Sequence, residues 1–333
     1  MLNSCCHSSA INKESKMTQT FVREQFIGQL DRLIRLWSGA KDISAEALFT
    51  PGMTFSSSAR GELHGADKVA ALLKDDLKGL DESSLVLSNL IVRADENNAV
   101  AGAYLLGNVS DFSQAGKEKS AMFGGVILVE YDRTGEALRI SDVKIQINWL
   151  KGSQALLTHW QLPTEKNWQP GDAPAVIVSE LDSPWRRVPV STLPGDEDTF
   201  IAEAWYRYAW GLDLADYAQF AECFSADVGA ELTPMGTMQG RRVLAGTLKA
   251  FRMPWPWIQH YGTPLQINFN TDGETASMIL GRIIPGQTEL EGEQVYGAHY
   301  RIELIKKAQG HWQMSWMGYH PGWITAQYEQ SSR

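Results

Sequence analysis

Phe49 recurs as Phe224, Gly65 as Gly240, Leu73 as Leu248, Leu90 as Leu265, Ala101 as Ala276 and Gly135 as Gly310, all at one spacing of 175 residues. Identity between the halves is low, yet the register holds over most of the unit, with a slip of one or two residues near Gly124. A period this long is far beyond the repeats of solenoids and propellers. It points to duplication of a whole domain, and a chain of 333 residues has room for two domains of ordinary size.

Each copy carries the same run of elements. In the first, Phe21, Val22, Phe26, Ile27, Leu30, Leu33, Ile34 and Trp37 mark one face of a long helix. A short helix follows around 44–49, with Ser44 as its N-cap, and a third carries Val69, Leu72, Leu73, Leu77 and Leu80. Strand patterns lie near 85–93, 99–110, 120–132 and 137–149, with hairpin-like turns at 95–98 and 133–136. The second copy predicts helices near 198–211, 214–224 and 241–251, then strands near 263–270, 275–284, 294–307 and 311–320. Helices first and a strand meander afterwards give an α+β fold. We expect two domains, each a curved antiparallel sheet wrapped on three helices. The open end of such a sheet is a natural apolar cavity.

The expected layout is a disordered tail at 1–18, a domain at 19–150, a Pro-rich linker at 151–197, a second domain at 198–326 and a tail at 327–333. Six prolines from Pro163 to Pro194 make the linker extended. Trp160, Trp168, Trp185 and the run 175–178 suit a linker lying along a domain surface, partly as an edge strand. The polar N-terminus lacks the apolar stretch of a signal peptide, and Met17 would serve as a start.

Hydrophobic residues make up 44% and charged residues 21%, the balance of a globular protein. A net charge of -9 and the lack of a Lys/Arg stripe argue against nucleic acid. No run of about 18 apolar residues exists to span a membrane. Cys5, Cys6 and Cys223 support no disulfide framework and fit a reducing cytoplasm. Cys5, Cys6 and His7 could ligate a metal only if held in fixed geometry, and a floppy tail is the plainer reading. His299, His311 and His320 show no metal-ligand spacing, so no metal is expected.

Two segments of the second copy carry the sharper chemistry. One is 208–213 (YAWGLD), ending the first helix, and the other is 260–263 (HYGT), entering the first strand. A carboxylate such as Asp213 beside His260 would fix the imidazole tautomer and stabilise the cation formed on proton uptake. Tyr208 could donate to a developing or departing oxygen. Tyr208 and Asp213 are five residues apart, roughly 140° around an ideal helix, so both face one cavity only if the helix ends near Gly211. Alternatively Asp213 caps the next helix, and His260 is an ordinary buried or surface histidine.

Residues 208–227 resemble the start of domains of the SnoaL-like (nuclear transport factor 2-like) superfamily. Residues 260–269 (HYGTPLQINF), followed by 272–276 (DGETA), resemble its lindane dehydrochlorinase and bile-acid 7α-dehydratase branch. The resemblance implies a catalytic dyad of Asp213 and His260, with Tyr208 matching the dehydratases. It also implies a pocket lined by Trp255, Ile258, Ser277, Ile279 and Met317, and no cofactor. Relatives carry an Arg at the Met317 position, which leaves Arg282 or Arg301 to reach the cavity instead. The ketosteroid isomerase base, an Asp before a Pro, is replaced by Thr233 before Pro234. In the first copy the three positions become Leu33, Ser38 and Leu85, and His64 lies in the turn before the third helix. That copy reads as a degenerate partner. SnoaL-like domains commonly pair through their sheets, so the resemblance implies two cone-shaped domains packed as a pseudo-dimer, the first copy replacing the second subunit of a homodimer and leaving a homo-oligomer open.

Three readings follow: a cofactor-independent lyase or isomerase (dehydratase-like elimination or proton transfer) on a small hydrophobic, cyclic molecule; a non-catalytic binder of such a molecule; or an interaction scaffold. The fold alone does not choose among them.

Overall fold

The computed structural model describes residues 21–113, 118–163, 174–255, 258–286, 289–290, 293–307 and 311–327. Cys5, Cys6, His7, Trp168 and nearly all of both expected tails lie outside the described residues.

The first copy opens with α1 (Arg23–Trp37), α2 (Ala45–Leu48), β1 (Phe49–Ser57), β2 (Gly61–His64) and α3 (Ala66–Asp76). It continues with β3 (Glu82–Ala94), β4 (Ala99–Asp111), β5 (Lys119–Asp132) and β6 (Arg139–Gly152). Ser44 caps α2 by accepting from the Ala47 amide at 3.2 Å. After a 3-10 turn over Gln154–Leu157 come α4 (Ser179–Asp182) and α5 (Pro184–Arg187). The second copy runs α6 (Glu197–Asp213), α7 (Tyr217–Glu222), β7 (Phe224–Leu232), β8 (Gly236–Gln239) and α8 (Arg241–Arg252). It ends with β9 (Gly262–Phe269), β10 (Thr275–Arg282), β11 (Glu289–Leu290), β12 (Glu293–Lys306) and β13 (Trp312–Thr325).

The sheets are ordered β2-β1-β6-β5-β4-β3 and β8-β7-β13-β12-β10-β9, with β11 on β12. They are not wholly antiparallel. A hairpin between the second and third helices of each copy sends one strand parallel to the last, β1 on β6 and β7 on β13. The duplication is legible in backbone detail. Gly65 and Gly240 precede α3 and α8 at φ of 98° and 89°, a left-handed setting in which any Cβ is strained.

The concave face of the first sheet packs on α1 and α3 around Phe26, Leu33, Phe55, Phe123 and Ile127. Trp160, just after the 3-10 turn, enters that core, edge-on to Phe123 at 4.8 Å. Its indole N–H and that of Trp37 both donate to the buried Asp76, at 3.1 and 2.8 Å. The linker's run 175–178 forms no strand, contrary to the expectation; it leads irregularly into α4 and α5. Prolines and the cap of α5 by Ser183 explain the short helices.

The copies pack unsymmetrically. The outer face of the first sheet, with Tyr104, Val126 and Leu128, meets Trp210 of α6 and Trp185 of α5. α6 is thus held between that face and the concave face of its own sheet. Gly102 permits the approach, since a Cβ there would meet Pro184 at 2.8 Å and Trp210 at 3.1 Å. The partner face is therefore a helix and the start of β9, rather than the outer face of the second sheet. No helix among the described residues is long and apolar enough to cross a membrane.

Candidate active site

α6 starts at Asp196, whose carboxylate accepts from the Thr199 amide at 2.9 Å, with Glu197 and Asp198 in the first turn complementing the helix dipole. It does not stop at Gly211, as the sequence suggested, but continues to Asp213. Gly211 matters for packing instead. A Cβ there would lie 2.8 Å from the Phe220 backbone nitrogen, so the glycine lets α7 cross close. The cap of α7 is Asp216, not Asp213, with the Gln219 amide at 3.0 Å.

The Asp213 carboxylate is buried and triply bonded. Oδ1 lies 2.6 Å from His260 Nδ1. Oδ2 accepts the His260 backbone N–H at 2.6 Å and the Tyr104 hydroxyl at 2.8 Å. Asp213 and His260 are 4% and 6% exposed. An imidazole whose Nδ1–H donates to a carboxylate keeps its lone pair on Nε2. Burial pushes the imidazole below the usual histidine range against the opposing pull of Asp213. The ring is therefore neutral near pH 7 and able to accept a proton.

Aromatic rings from the same copy wall the imidazole. Tyr208 and Trp205 lie edge-on to it with centroids 6.0 and 6.4 Å away, and Trp205 packs on Tyr300 at 4.6 Å. Burial drives the Tyr208 hydroxyl well above the ordinary phenol value, which suits it to donate a hydrogen bond rather than release a proton. The Trp205 indole N–H is buried with no protein partner.

Arg282 lies on the core side of β10. Ala276, Met278 and Leu280 of β10 point into the core, and strand alternation puts Arg282 on the same side. It hydrogen-bonds Tyr300 and donates to the Gln259 carbonyl at 3.2 Å. Its Nε is buried without a protein partner. Burial works against its charge, but Tyr300 and Asp213 raise its proton affinity above the ordinary arginine value. Arg301 does not reach this place: it is exposed, on the strand face opposite Tyr300 and Ile302.

The structure brings together Tyr208, Asp213 and His260, with Met317 in the same core. It does not bring Ser277 and Ile279, which lie on the outer face of β10, one residue out of phase with Met278 and Leu280. Counting positions missed the pleat. Trp255 is also misplaced by that counting, for it is 48% exposed beyond α8. Ile258 is half-buried after it. Two residues escaped sequence reasoning altogether: Tyr104, and Asn89, whose amide donates to the His260 carbonyl at 2.9 Å and accepts from the Gly262 N–H at 3.0 Å. Both come from the other copy, and no local spacing announces them.

At the matching positions of the first copy Leu33 is core and Ser38 caps α1, and its His64 is exposed. Its own buried carboxylate is elsewhere: Asp76 meets His159 Nε2 at 3.2 Å and Arg60 Nε at 3.3 Å. Among the described residues no cluster of three or more His, Cys, Asp or Glu side chains is placed to hold a metal. Burial raises the Cys223 thiol to about 12, leaving it inert.

A family model described as a SnoaL-like domain matches residues 28–144 and again 196–317, together well over half the chain. The chain belongs to the SnoaL-like family. No curated relative matches it. Solved structures similar to one SnoaL-like unit include the Kfla4162 protein of Kribbella flavida, at 14% identity over 41% of this chain and 96% of that one, TM-score 0.37. A nuclear transport factor 2-like protein of Salmonella enterica shares 17% over 45% and 96%, TM-score 0.32. The hexachlorocyclohexane dehydrochlorinase LinA-type3 of Novosphingobium barchaimii shares 10% over 39% and 89%, TM-score 0.34. This SnoaL-like chain is thus a tandem of two α+β units.

Proposed function

We propose that the second copy is a cofactor-independent lyase or isomerase acting on a small, hydrophobic, cyclic molecule with an acidic C–H bond. The observation that carries this reading is the 2.6 Å contact between Asp213 and His260 Nδ1 beneath aromatic walls. In the proposed step Nε2 takes the proton of the C–H bond, and the bonding pair shifts into a new C=C bond. In an elimination a hydroxyl on the neighbouring carbon leaves with its electron pair and takes the proton back from the imidazolium, departing as water. In an isomerisation the proton returns to a different carbon. Asp213 stabilises the imidazolium. Tyr208 donates to the developing oxyanion or leaving oxygen, and Arg282 with Tyr300 adds positive charge where negative charge grows.

The test is turnover of cyclic β-hydroxy ketones and cyclic halides, followed by the absorbance of the new alkene or by proton exchange at carbon. Asp213→Asn should lower kcat by about 10²–10⁴, and His260→Gln by at least as much. Wild-type rates in both variants would remove the reading. Burial favours one alternative, a non-catalytic binder: Tyr208 and Met317 are almost wholly enclosed. Binding of the same compounds, unchanged chemically and insensitive to His260→Gln, would favour it.

A further inference from the structure

We infer that the first copy serves as a positioning subunit for the second copy's dyad, with Asn89 and Tyr104 as its positioning residues. The catalytic meaning rests on the function proposed above, but the positioning is read without any substrate.

The segment 259–262 that carries His260 is held from both sides of the domain boundary: Asp213, Arg282 and Ile283 bind it from its own domain, and several first-copy groups bind it from outside. Asn89 grips the backbone on both sides of Tyr261, donating to the His260 carbonyl and accepting from the Gly262 amide. Asn89 is buried with φ of 51° at an irregularity in β3, between Ser88 and Ile91. A buried non-glycine residue in the left-handed region persists only where its surroundings over-determine it. Here both ends of its amide are committed across the domain boundary. Gln259 donates to the Gly125 carbonyl at 3.1 Å and accepts from the Trp149 indole N–H at 3.1 Å. Tyr261 fits over Gly124, where a Cβ would come within 2.2 Å of its hydroxyl oxygen.

Tyr104 acts on the carboxylate itself. Its hydroxyl donates to Asp213 Oδ2, the oxygen that also accepts the His260 amide. Burial, and then the charge of Asp213, drive this phenol well above its ordinary value, so it stays a donor. A donor on the carboxylate draws charge away from the imidazole and lowers its proton affinity. The other titratable groups around His260 are Tyr208 on α6, Arg282 on β10, Arg252 at the end of α8 and the adjacent Tyr261. The arrangement runs one way: the positions 175 residues on from Asn89 and Tyr104 are Pro264 and Ile279, which offer no such hydrogen bonds.

The test uses the full chain labelled with ¹⁵N-histidine, with the His260 resonances identified by their loss in His260→Gln. Wild type should show a single Nδ1–H tautomer titrating below the usual histidine range. Tyr104→Phe should raise the proton affinity of His260 by about threefold to tenfold while the tautomer persists. Asn89→Gly keeps the backbone conformation and removes both grips, so the Gly262 amide should exchange with solvent at least about tenfold faster. If Asn89→Gly does not fold, Tyr104→Phe alone decides. His260 titrating in Tyr104→Phe as in wild type overturns the proposal. A shifted titration in a protein without turnover keeps the positioning and removes the lyase or isomerase reading instead.

Discussion

The two cones share a backbone plan, yet one is filled and the other is polar at its heart. In the first, the positions of the dyad and its tyrosine are Leu33, Ser38 and Leu85, and Trp160 occupies the core against Phe123. In the second, Asp213, His260, Tyr208, Arg282 and Tyr300 share one buried cluster. The difference teaches that duplication separated two jobs of a single unit. The first copy packs its inner face around Trp160, and its outer face, through Asn89 and Tyr104, touches the second copy's polar centre.

This comparison can be broken in several places. The largest expected effect is in the filled cone. Trp160→Ala removes a buried indole and leaves Asp76 one donor short, and should cost about 4 kcal/mol in denaturant unfolding. A loss under about 1 kcal/mol would mean the tryptophan merely rests on the surface. In the polar cone, Asp213→Ala leaves the His260 amide and the Tyr104 hydroxyl buried without an acceptor. We expect a loss of about 3 kcal/mol by the same measurement. A neutral result would show that water or another group takes over.

The helical glycines sharpen the comparison further. Gly211 in α6 is pressed against the Phe220 backbone, while Gly28 in α1 has open space around its missing Cβ. Gly211→Ala should destabilise by about 2 kcal/mol. Gly28→Ala should stabilise by about 0.5–1 kcal/mol, through helix propensity and a less flexible unfolded chain. Equal signs in the two melting temperatures would contradict the packing described.

Two histidines of the second copy carry an expected dependence on pH. Burial lowers His260, and burial with the nearby Arg207 and Arg93 lowers His311 to about 4. In each case the folded state binds the proton less well than the unfolded chain, whose histidines titrate near 6.5. Stability is therefore full above about pH 6.5 and declines as pH falls toward 4. Urea midpoints across that range should show the decline, and His311→Asn should flatten part of it. A midpoint constant from pH 7 to 4.5 would refute the assignment.

Much of this was legible in the sequence. The apolar faces of α1 and α6 and the long strands follow from their periodicities. Asp213 and His260, singled out in the sequence, lie in contact at 2.6 Å. The β1–β2 and β7–β8 hairpins were not seen although their turns are local; the parallel pairing of β1 and β7 with strands some 90 residues later has no local signal at all. Ser277 and Ile279 failed for want of the pleat's phase. Asn89 and Tyr104 were out of reach, since their significance lies in contacts 171 and 109 residues away.

The tryptophan that fills the first cone has a consequence for any search for ligands. A side chain tethered a few residues beyond β6 competes for that cavity at an effective concentration on the order of millimolar. A free aromatic compound at about micromolar concentration would need roughly a thousandfold tighter intrinsic binding to displace half of it. Trp160 thus acts as a resident competitor for the space between Trp37 and Phe123.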